Sequence, residues 1–332
     1  MIDRPAFPPY PWQGSQWERL QLARAAGRIG HAWLLAGPPG LGKSAFAAAL
    51  AHSLLCDRPG ASGAPCLSCR SCHLVAVGNH PDLDRIGPDE AGKPIKVDAI
   101  RDYCERSSLT AQIADHKVAI LDPADAMNGA AANSLLKTLE EPSPSTMLLL
   151  VTASPHRLPA TVRSRCQRVD FPIPDPNEAA QWLRGQVAGV DATLALRLGG
   201  GAPLAALAGA DPAVLEERAA RLREFVAVGE RREDPVRIAG GWLSTDWARL
   251  LDWLARWLLD LVRLRAGAAS ADQLADPDHA AVFHGLADRV DSKVLFAMVD
   301  QVLEARRAAG SNLNHQLALE SLLIRWAAMT PR

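Results

Sequence analysis

The sequence predicts an α/β domain on a mainly parallel sheet, followed by a C-terminal half that is all helix. Three observations carry this. Short apolar runs alternate with helical patterns across residues 1–170, as strand–helix–strand units do. One complete G-x-x-x-x-G-K-[ST] run stands between such a strand and such a helix. From Asp211 onward nearly the whole chain has helical periodicity.

Taken in order, His31–Ala36 is a short buried strand entering a Gly/Pro loop, and Ala45–Leu55 after it is a strong helix former. Asp82–Ile86, bounded by Pro81 and Pro88, reads as a second strand. Val97–Ser107 is helical, with Ile100 and Cys104 on one face, and Lys117–Leu121 is a third apolar strand. Asn128–Glu140 is a helix that Pro142 ends, and Met147–Thr152 and Cys166–Phe171 give two more strands. The run Phe171-Pro172-Ile173-Pro174-Asp175-Pro176 cannot continue a helix or a central strand, so a domain boundary falls there. Asn177 is the expected N-cap of the next helix, and Gly199-Gly200-Gly201 breaks the pattern that follows. Three segments result: 1–170, a small helical 171–208, and a helical 209–332. Trp242, Trp247, Trp253 and Trp257 lie among leucines at a spacing that turns a helix face inward, which makes them core.

A chain of 332 residues suits two or three domains. Its 48% hydrophobic and 22% charged residues are the balance of a soluble protein. A formal net charge of -1 excludes a free-standing polyanion binder held by bulk positive charge. The start, Met1-Ile2-Asp3-Arg4-Pro5, lacks the pattern of a signal peptide, and no long apolar run is free of charge or breakers. The expectation is a cytoplasmic protein with no membrane partner.

The run Gly37-Pro38-Pro39-Gly40-Leu41-Gly42-Lys43-Ser44 is a phosphate loop. Gly37, Gly40 and Gly42 let backbone N–H groups close around phosphates at a helix N-terminus. Lys43 would meet the outer phosphates and the Ser44 hydroxyl would bind Mg²⁺. Val118-Ala119-Ile120-Leu121-Asp122 supplies the acidic partner strand, with Asp122 at its end. The next position, where a water-activating carboxylate belongs, is Pro123, which can neither polarise water nor accept a proton. Asp125, three residues beyond Asp122, is expected to be structural or on the surface. These residues suit ATP or ADP with Mg²⁺ and leave open whether the loop holds either.

Cys56, Cys66, Cys69 and Cys72 form C-x9-C-x2-C-x2-C within residues 56–72. Paired C-x2-C steps bring neighbouring sulfurs onto one ion, and four thiolates suit structural, tetrahedral zinc. The surrounding Gly/Ser/Pro-rich insertion has little core of its own, so a metal is a source of its fold. His73 is adjacent but surplus to a site already full. Cys104 and Cys166 stand alone and are expected to be small buried hydrophobes.

On these motifs the chain resembles the bacterial clamp-loader AAA+ subunits, the delta-prime branch in particular. Residues that carry the likeness are Gly30-His31-Ala32, the phosphate loop, Asn133-Ser134-Leu135-Leu136-Lys137-Thr138-Leu139-Glu140-Glu141-Pro142, Thr152-Ala153-Ser154-Pro155-His156-Arg157-Leu158-Pro159 and Ser164-Arg165-Cys166. Together they cover most of residues 28–170, and Asn314–Glu320 is similar to the family's last collar helix. The resemblance implies a RecA-like AAA+ domain (1–170) with a zinc-knuckle insertion, a helical lid (171–208) and a helical collar (209–332). It also implies a place in a five-membered ring with gamma/tau and delta subunits of DNA polymerase III, which sets the sliding clamp on primed DNA. Arg165 matches the family's arginine finger, given in trans to a neighbour's ATP. Where motor subunits carry a lid arginine, this chain has Leu204, and where they carry a catalytic Glu it has Pro123. The first sensor region keeps Thr152 but weakens after it. The expectation is therefore a member without ATP turnover of its own. Two rival readings are a gamma/tau-like motor ATPase, opposed by Pro123 and Leu204, and a stand-alone nucleic-acid-binding zinc protein, opposed by the near-neutral charge.

Overall fold

The structure, a computed structural model, describes residues 7–90, 92–270, 273–274, 276–307 and 314–329. It divides into two compact units, Met1–Trp182 with Ala202–Ala205, and Leu183–Gly201 with Ala206–Arg332.

The first unit opens with a short 3-10 turn, Pro11–Gln13, that runs into α1 (Gly14–Ala25). Then come β1 (Ala32–Ala36), α2 (Lys43–Leu55), α3 (Arg70–Ala76), β2 (Leu83–Ile86) and α4 (Val97–Ser107). β3 (Lys117–Leu121), α5 (Gly129–Glu140), β4 (Thr146–Thr152), α6 (Ala160–Arg163), β5 (Gln167–Asp170) and α7 (Pro176–Arg184) follow. The five strands make one parallel sheet in the order β2-β3-β4-β1-β5. β1, β3 and β4 are buried along their whole length, because helices cover both faces of the sheet.

Alternation along these strands sorts their side chains onto two cores. Trp33, Leu35, Ile120, Leu149 and Val151 pack with Phe46, Leu50 and Leu54 of α2 and with Trp17 and Leu20 of α1. Leu34, Ala119, Leu121, Leu148 and Leu150 pack on the other face with Ile100 and Tyr103 of α4 and Leu135 and Leu139 of α5. The register pairs Ala36 with both Thr152 and Asp170, and Leu121 with Leu150. The carboxyl ends of β1, β3 and β4 thus share one edge, where the phosphate loop leaves β1.

All five expected strands are present, with ends that differ by a residue or so. Three helices escaped the pattern. α1 buries Gln16 beside Trp17 and Leu20, so its inward face is not purely apolar. α3 lies within and after the cysteine run, and α6 is a single turn. One expected cap is corrected: Asp175, not Asn177, caps α7, its carboxylate accepting from the amides of Asn177 (2.9 Å) and Glu178 (3.3 Å). Pro176, which has no N–H, fills the first helical position, and this moves the cap one residue before it. Cys104 and Cys166 are half-buried against the second core, less enclosed than expected.

The second unit is helical: α8 (Ala192–Leu198), α9 (Pro203–Gly209, shared with the first unit), α10 (Pro212–Gly229), α11 (Pro235–Trp242), α12 (Trp247–Arg265), α13 (Ala280–Arg289), α14 (Ser292–Arg307) and α15 (His315–Met329). Asp191, Asp211, Asp234 and Asp246 each accept backbone N–H groups as N-caps, with proline next in line at two of them. Gly200 and Gly201 both take positive φ, which stops α8. Trp242, Trp253 and Trp257 are buried in one core with Phe225 and Trp326. Trp247 is only partly buried and stacks on His315 with ring centroids 4.1 Å apart. No helix among the described residues is long and apolar enough to cross a membrane.

Candidate nucleotide cleft and metal centre

The phosphate loop follows β1 and ends where Gly42 caps α2. Gly40 and Gly42 both sit at φ +78°, a region that L side chains rarely enter. A Cβ on Gly42 would stand 2.3 Å from the Tyr10 ring, and one on Gly40 would stand 2.8 Å from the Ala205 backbone nitrogen. Only glycine fits at either place. The loop is strapped from the N-terminal side. Gln13 Nε2 donates to the carbonyls of Leu41 (2.9 Å) and Gly42 (3.1 Å), and Trp12 Nε1 donates to Leu41 (3.1 Å). Tyr10 stacks on Trp12, and both rings meet Trp182 edge-on. From the other side the Leu204 amide donates to the Gly40 carbonyl at 3.0 Å.

A cleft of about 360 Å³ opens over this loop and is lined by Gly40, Gly42, Lys43, Ser44, Asp122, Pro123, Thr152 and Leu204. Lys43 is 6% exposed, and its Nζ donates to the Pro38 carbonyl at 2.6 Å. Burial pushes its ammonium below the usual lysine range, against the pull of Asp122 and Asp125. The donor set fits an anion carried with a divalent cation: loop amides at a helix N-terminus, one ammonium, one hydroxyl and one carboxylate. Gly37 lies at the loop's entry against Phe171.

Asp122 directly follows β3, and Pro123 beside it brings neither acid nor base to the cleft. Asp125, in the 3-10 turn Ala124–Ala126, reaches back to the end of β4, where Thr152 Oγ1 donates to its Oδ1 at 2.6 Å. Thr152 Oγ1 also accepts from the Ser154 amide at 3.0 Å. Sequence spacing gave Asp125 a structural or surface role, and the turn makes it a structural partner of Thr152.

Arg165 follows α6 and is not among the residues lining this chain's cleft. Its Nη2 meets Glu140 Oε1, at the end of α5, at 2.6 Å, and its Nη1 donates to the Thr161 carbonyl at 3.0 Å. The side chain keeps 36% of its surface exposed. Its guanidinium is therefore oriented by its own chain, on a side chain that is partly exposed.

The four cysteines converge. Cys56 ends α2, Cys69 caps α3, and all four sulfurs lie within 4.8 Å of one another. Cys66 Sγ and Cys72 Sγ are 3.9 Å apart; bonds of about 2.3 Å to tetrahedral zinc place sulfurs about 3.8 Å apart. Backbone N–H groups support the ligands: Cys66 N donates to Cys56 Sγ and Cys72 N to Cys69 Sγ. The amide and hydroxyl of Ser68 hold the Cys66 thiol down to about 5, while burial pushes Cys56 and Cys72 up. A cation taken up here would displace the protons that burial retains. Two outside contacts fix the insertion, Trp17 Nε1 donating to the Ser62 carbonyl (2.8 Å) and Ser53 Oγ to Gly63, and within it Ser71 Oγ donates to Asp57 (2.7 Å). His73 is not part of the cluster.

The sequence reading missed Tyr10, Trp12 and Gln13, which brace the loop, and Glu140 as the partner of Arg165. A Tyr-Pro-Trp-Gln run outside any periodic element was the one signal for the first three.

Comparison with known proteins agrees with this geometry. The family profile described as DNA polymerase III, delta subunit, matches residues 12–175, and its C-terminal counterpart matches residues 212–328. The chain is 38% identical over 327 residues to DNA polymerase III subunit delta' of Pseudomonas aeruginosa, covering 96% of this chain and 98% of that one. It is 35% identical over 328 residues to the delta' subunit of Escherichia coli K12, covering 95% and 94%. Likeness to the tau subunit of Bacillus subtilis 168 is partial: 36% over 152 residues, 46% of this chain and 26% of that protein. With a parallel sheet whose β1 feeds a phosphate loop, a helical C-terminal unit and near full-length likeness, this AAA+ chain belongs to the delta' family of DNA polymerase III subunits.

Proposed function

We propose that the chain is a clamp-loader subunit that binds Mg-nucleotide without hydrolysing it and gives Arg165 to a neighbouring subunit's ATP. The observation that carries this is the lining of the cleft: Pro123 and Leu204 face the same space as Lys43, so at those two positions the cleft has neither a water-activating acid nor a second cation among the described residues. A purified chain assayed alone is expected to show no ATP turnover above a Lys43→Ala variant. Robust turnover abolished by that substitution would favour the gamma/tau-like motor, a reading supported by partial likeness to tau and gamma subunits.

Arg165 supports the second half of the proposal, since it lies outside its own cleft and its side chain keeps 36% of its surface exposed. A guanidinium beside a γ-phosphate offsets charge in transfer, worth roughly 10³–10⁵ in rate where measured. In a loader rebuilt from purified subunits, Arg165→Ala is expected to leave assembly intact and lower DNA-stimulated turnover; unchanged turnover removes the finger. The partners in this reading are gamma/tau and delta subunits in a five-membered ring, with sliding clamp and primed DNA met through the complex. Zinc at Cys56, Cys66, Cys69 and Cys72 is structural, since four thiolates leave no open position. The lid and collar divide at residues 171–208 and 209–332, and the setting is the cytoplasm.

A further inference from the structure

We infer that the cleft selects a nucleoside diphosphate over the triphosphate, with Asp125 as the specificity-determining residue acting through Thr152. This rests on the reading that the cleft binds Mg-nucleotide and asks which end of that ligand it rejects.

In a phosphate loop the backbone amides enclose the inner phosphates, Lys43 spans the second and third, and the residues at the strand ends reach the outermost one. Asp122 and Thr152 are those groups here, just after β3 and at the end of β4, and both line the cleft. A threonine hydroxyl has a single proton to donate. Thr152 Oγ1 spends it on Asp125 Oδ1 at 2.6 Å and accepts from the Ser154 amide at 3.0 Å, so its rotation is fixed from both sides. No hydrogen remains for a terminal phosphate oxygen. Breaking the Thr152–Asp125 bond to supply one would strip a carboxylate of its donor beside an incoming anion.

Charge acts the same way. Among the described residues lining the cleft, Lys43 is the one cation, and Leu204 is apolar. Asp122 is matched by the Mg²⁺ it would hold, whereas Asp125 has no such counterion and lies close enough to act on Lys43. A third phosphate adds negative charge at the end where the described residues lining the cleft supply no further side-chain donor and Asp125 adds one further carboxylate nearby. The inner phosphates lose nothing, because the loop amides, Lys43 and Ser44 remain theirs.

The test is a calorimetric titration of the full-length chain with MgADP and with MgATP, with product analysis of the same samples. One forgone hydrogen bond to a charged group corresponds to a preference on the order of ten- to a hundredfold for ADP. Asp125→Ala removes both the proton acceptor and the charge, and is expected to bring the two affinities within a few-fold. Asp125→Asn keeps an acceptor for Thr152 and is expected to narrow the ratio less. Leu204→Arg, which alters neither Asp125 nor Thr152, is expected to raise ATP affinity selectively. Equal affinities in the unsubstituted chain, tighter ATP, or a ratio indifferent to Asp125→Ala each overturn the inference while leaving the cleft a nucleotide site. Binding of neither nucleotide removes both the site and the inference, and ADP appearing in the ATP samples refutes the non-hydrolysing reading.

Discussion

Gly42→Ala probes the phosphate loop at the point where its geometry is tightest. Gly42 holds φ at +78°, and an alanine forced there loses about 1–2 kcal/mol to the left-handed region alone. Its new Cβ would stand 2.3 and 2.4 Å from two Tyr10 ring carbons and 2.9 Å from Gln13 Nε2. The tyrosine must move, which gives up its stack on Trp12, worth about 0.5–1.5 kcal/mol. Together these come to about 1.5–3.5 kcal/mol of local stability, or roughly 10- to 400-fold faster exchange of amides that open with the loop. Hydrogen exchange of peptides from α2, read by mass spectrometry, measures this directly, with weaker nucleotide binding as a second expected result. Gly129→Ala is the control: its Cβ meets nothing within 4 Å, its φ is ordinary, and it should leave α2 untouched. Exchange in Gly42→Ala within about threefold of the unsubstituted chain would refute the claim that strap and loop are locked together.

The remaining predictions concern metal and pH. Metal analysis of freshly reduced protein should find one zinc per chain, and Cys69→Ala should lose both the zinc and protection of α3, whose cap is that same sulfur; protein free of zinc with α3 intact counts against the knuckle. Asp82 is 1% exposed and accepts the amides of Gln112, Ile113 and Ala114 at 2.7, 2.8 and 3.0 Å. Burial alone would raise its carboxyl, yet the three donors outweigh it and hold the group below the usual carboxylate range. Its contribution is therefore full above the unfolded carboxylate's pKa, near 4, and lost as pH falls through the lower folded value. Asp82→Asn should cost about 1–3 kcal/mol at neutral pH, and its urea midpoint should converge with the unsubstituted chain's in acid; a constant gap across pH would count against the carboxylate.

Much of the fold was legible because parallel strands buried on both faces are written as unbroken apolar runs. β1, β3 and β4 show this, and the helices between them follow from periodicity. α1 was harder to read. α1 reaches the core through two apolar side chains and buried glutamine, so no clean stripe marks it. Asn177 was read as a cap from its type alone, while Pro176 before it, lacking an N–H, gave that place to Asp175.

What the sequence by itself determined are the features whose chemistry lies within a few residues: the loop from Gly37 to Ser44, the cysteine spacing that ends at Cys72, and the missing acid at Pro123. Those motifs work through local backbone geometry, so adjacency in the chain is enough to reveal them. Tertiary structure alone decided which distant groups complete them. Gln13 reaches Leu41 across 28 positions, Thr152 gives its one proton to Asp125 across 27, and Arg165 finds Glu140 at the end of a different helix. Each of these depends on how parallel strands are registered side by side and on where their connecting turns return. Neither leaves a periodic trace in the chain, because a single hydrogen bond across a sheet edge selects an atom at a distance and not a pattern of neighbours.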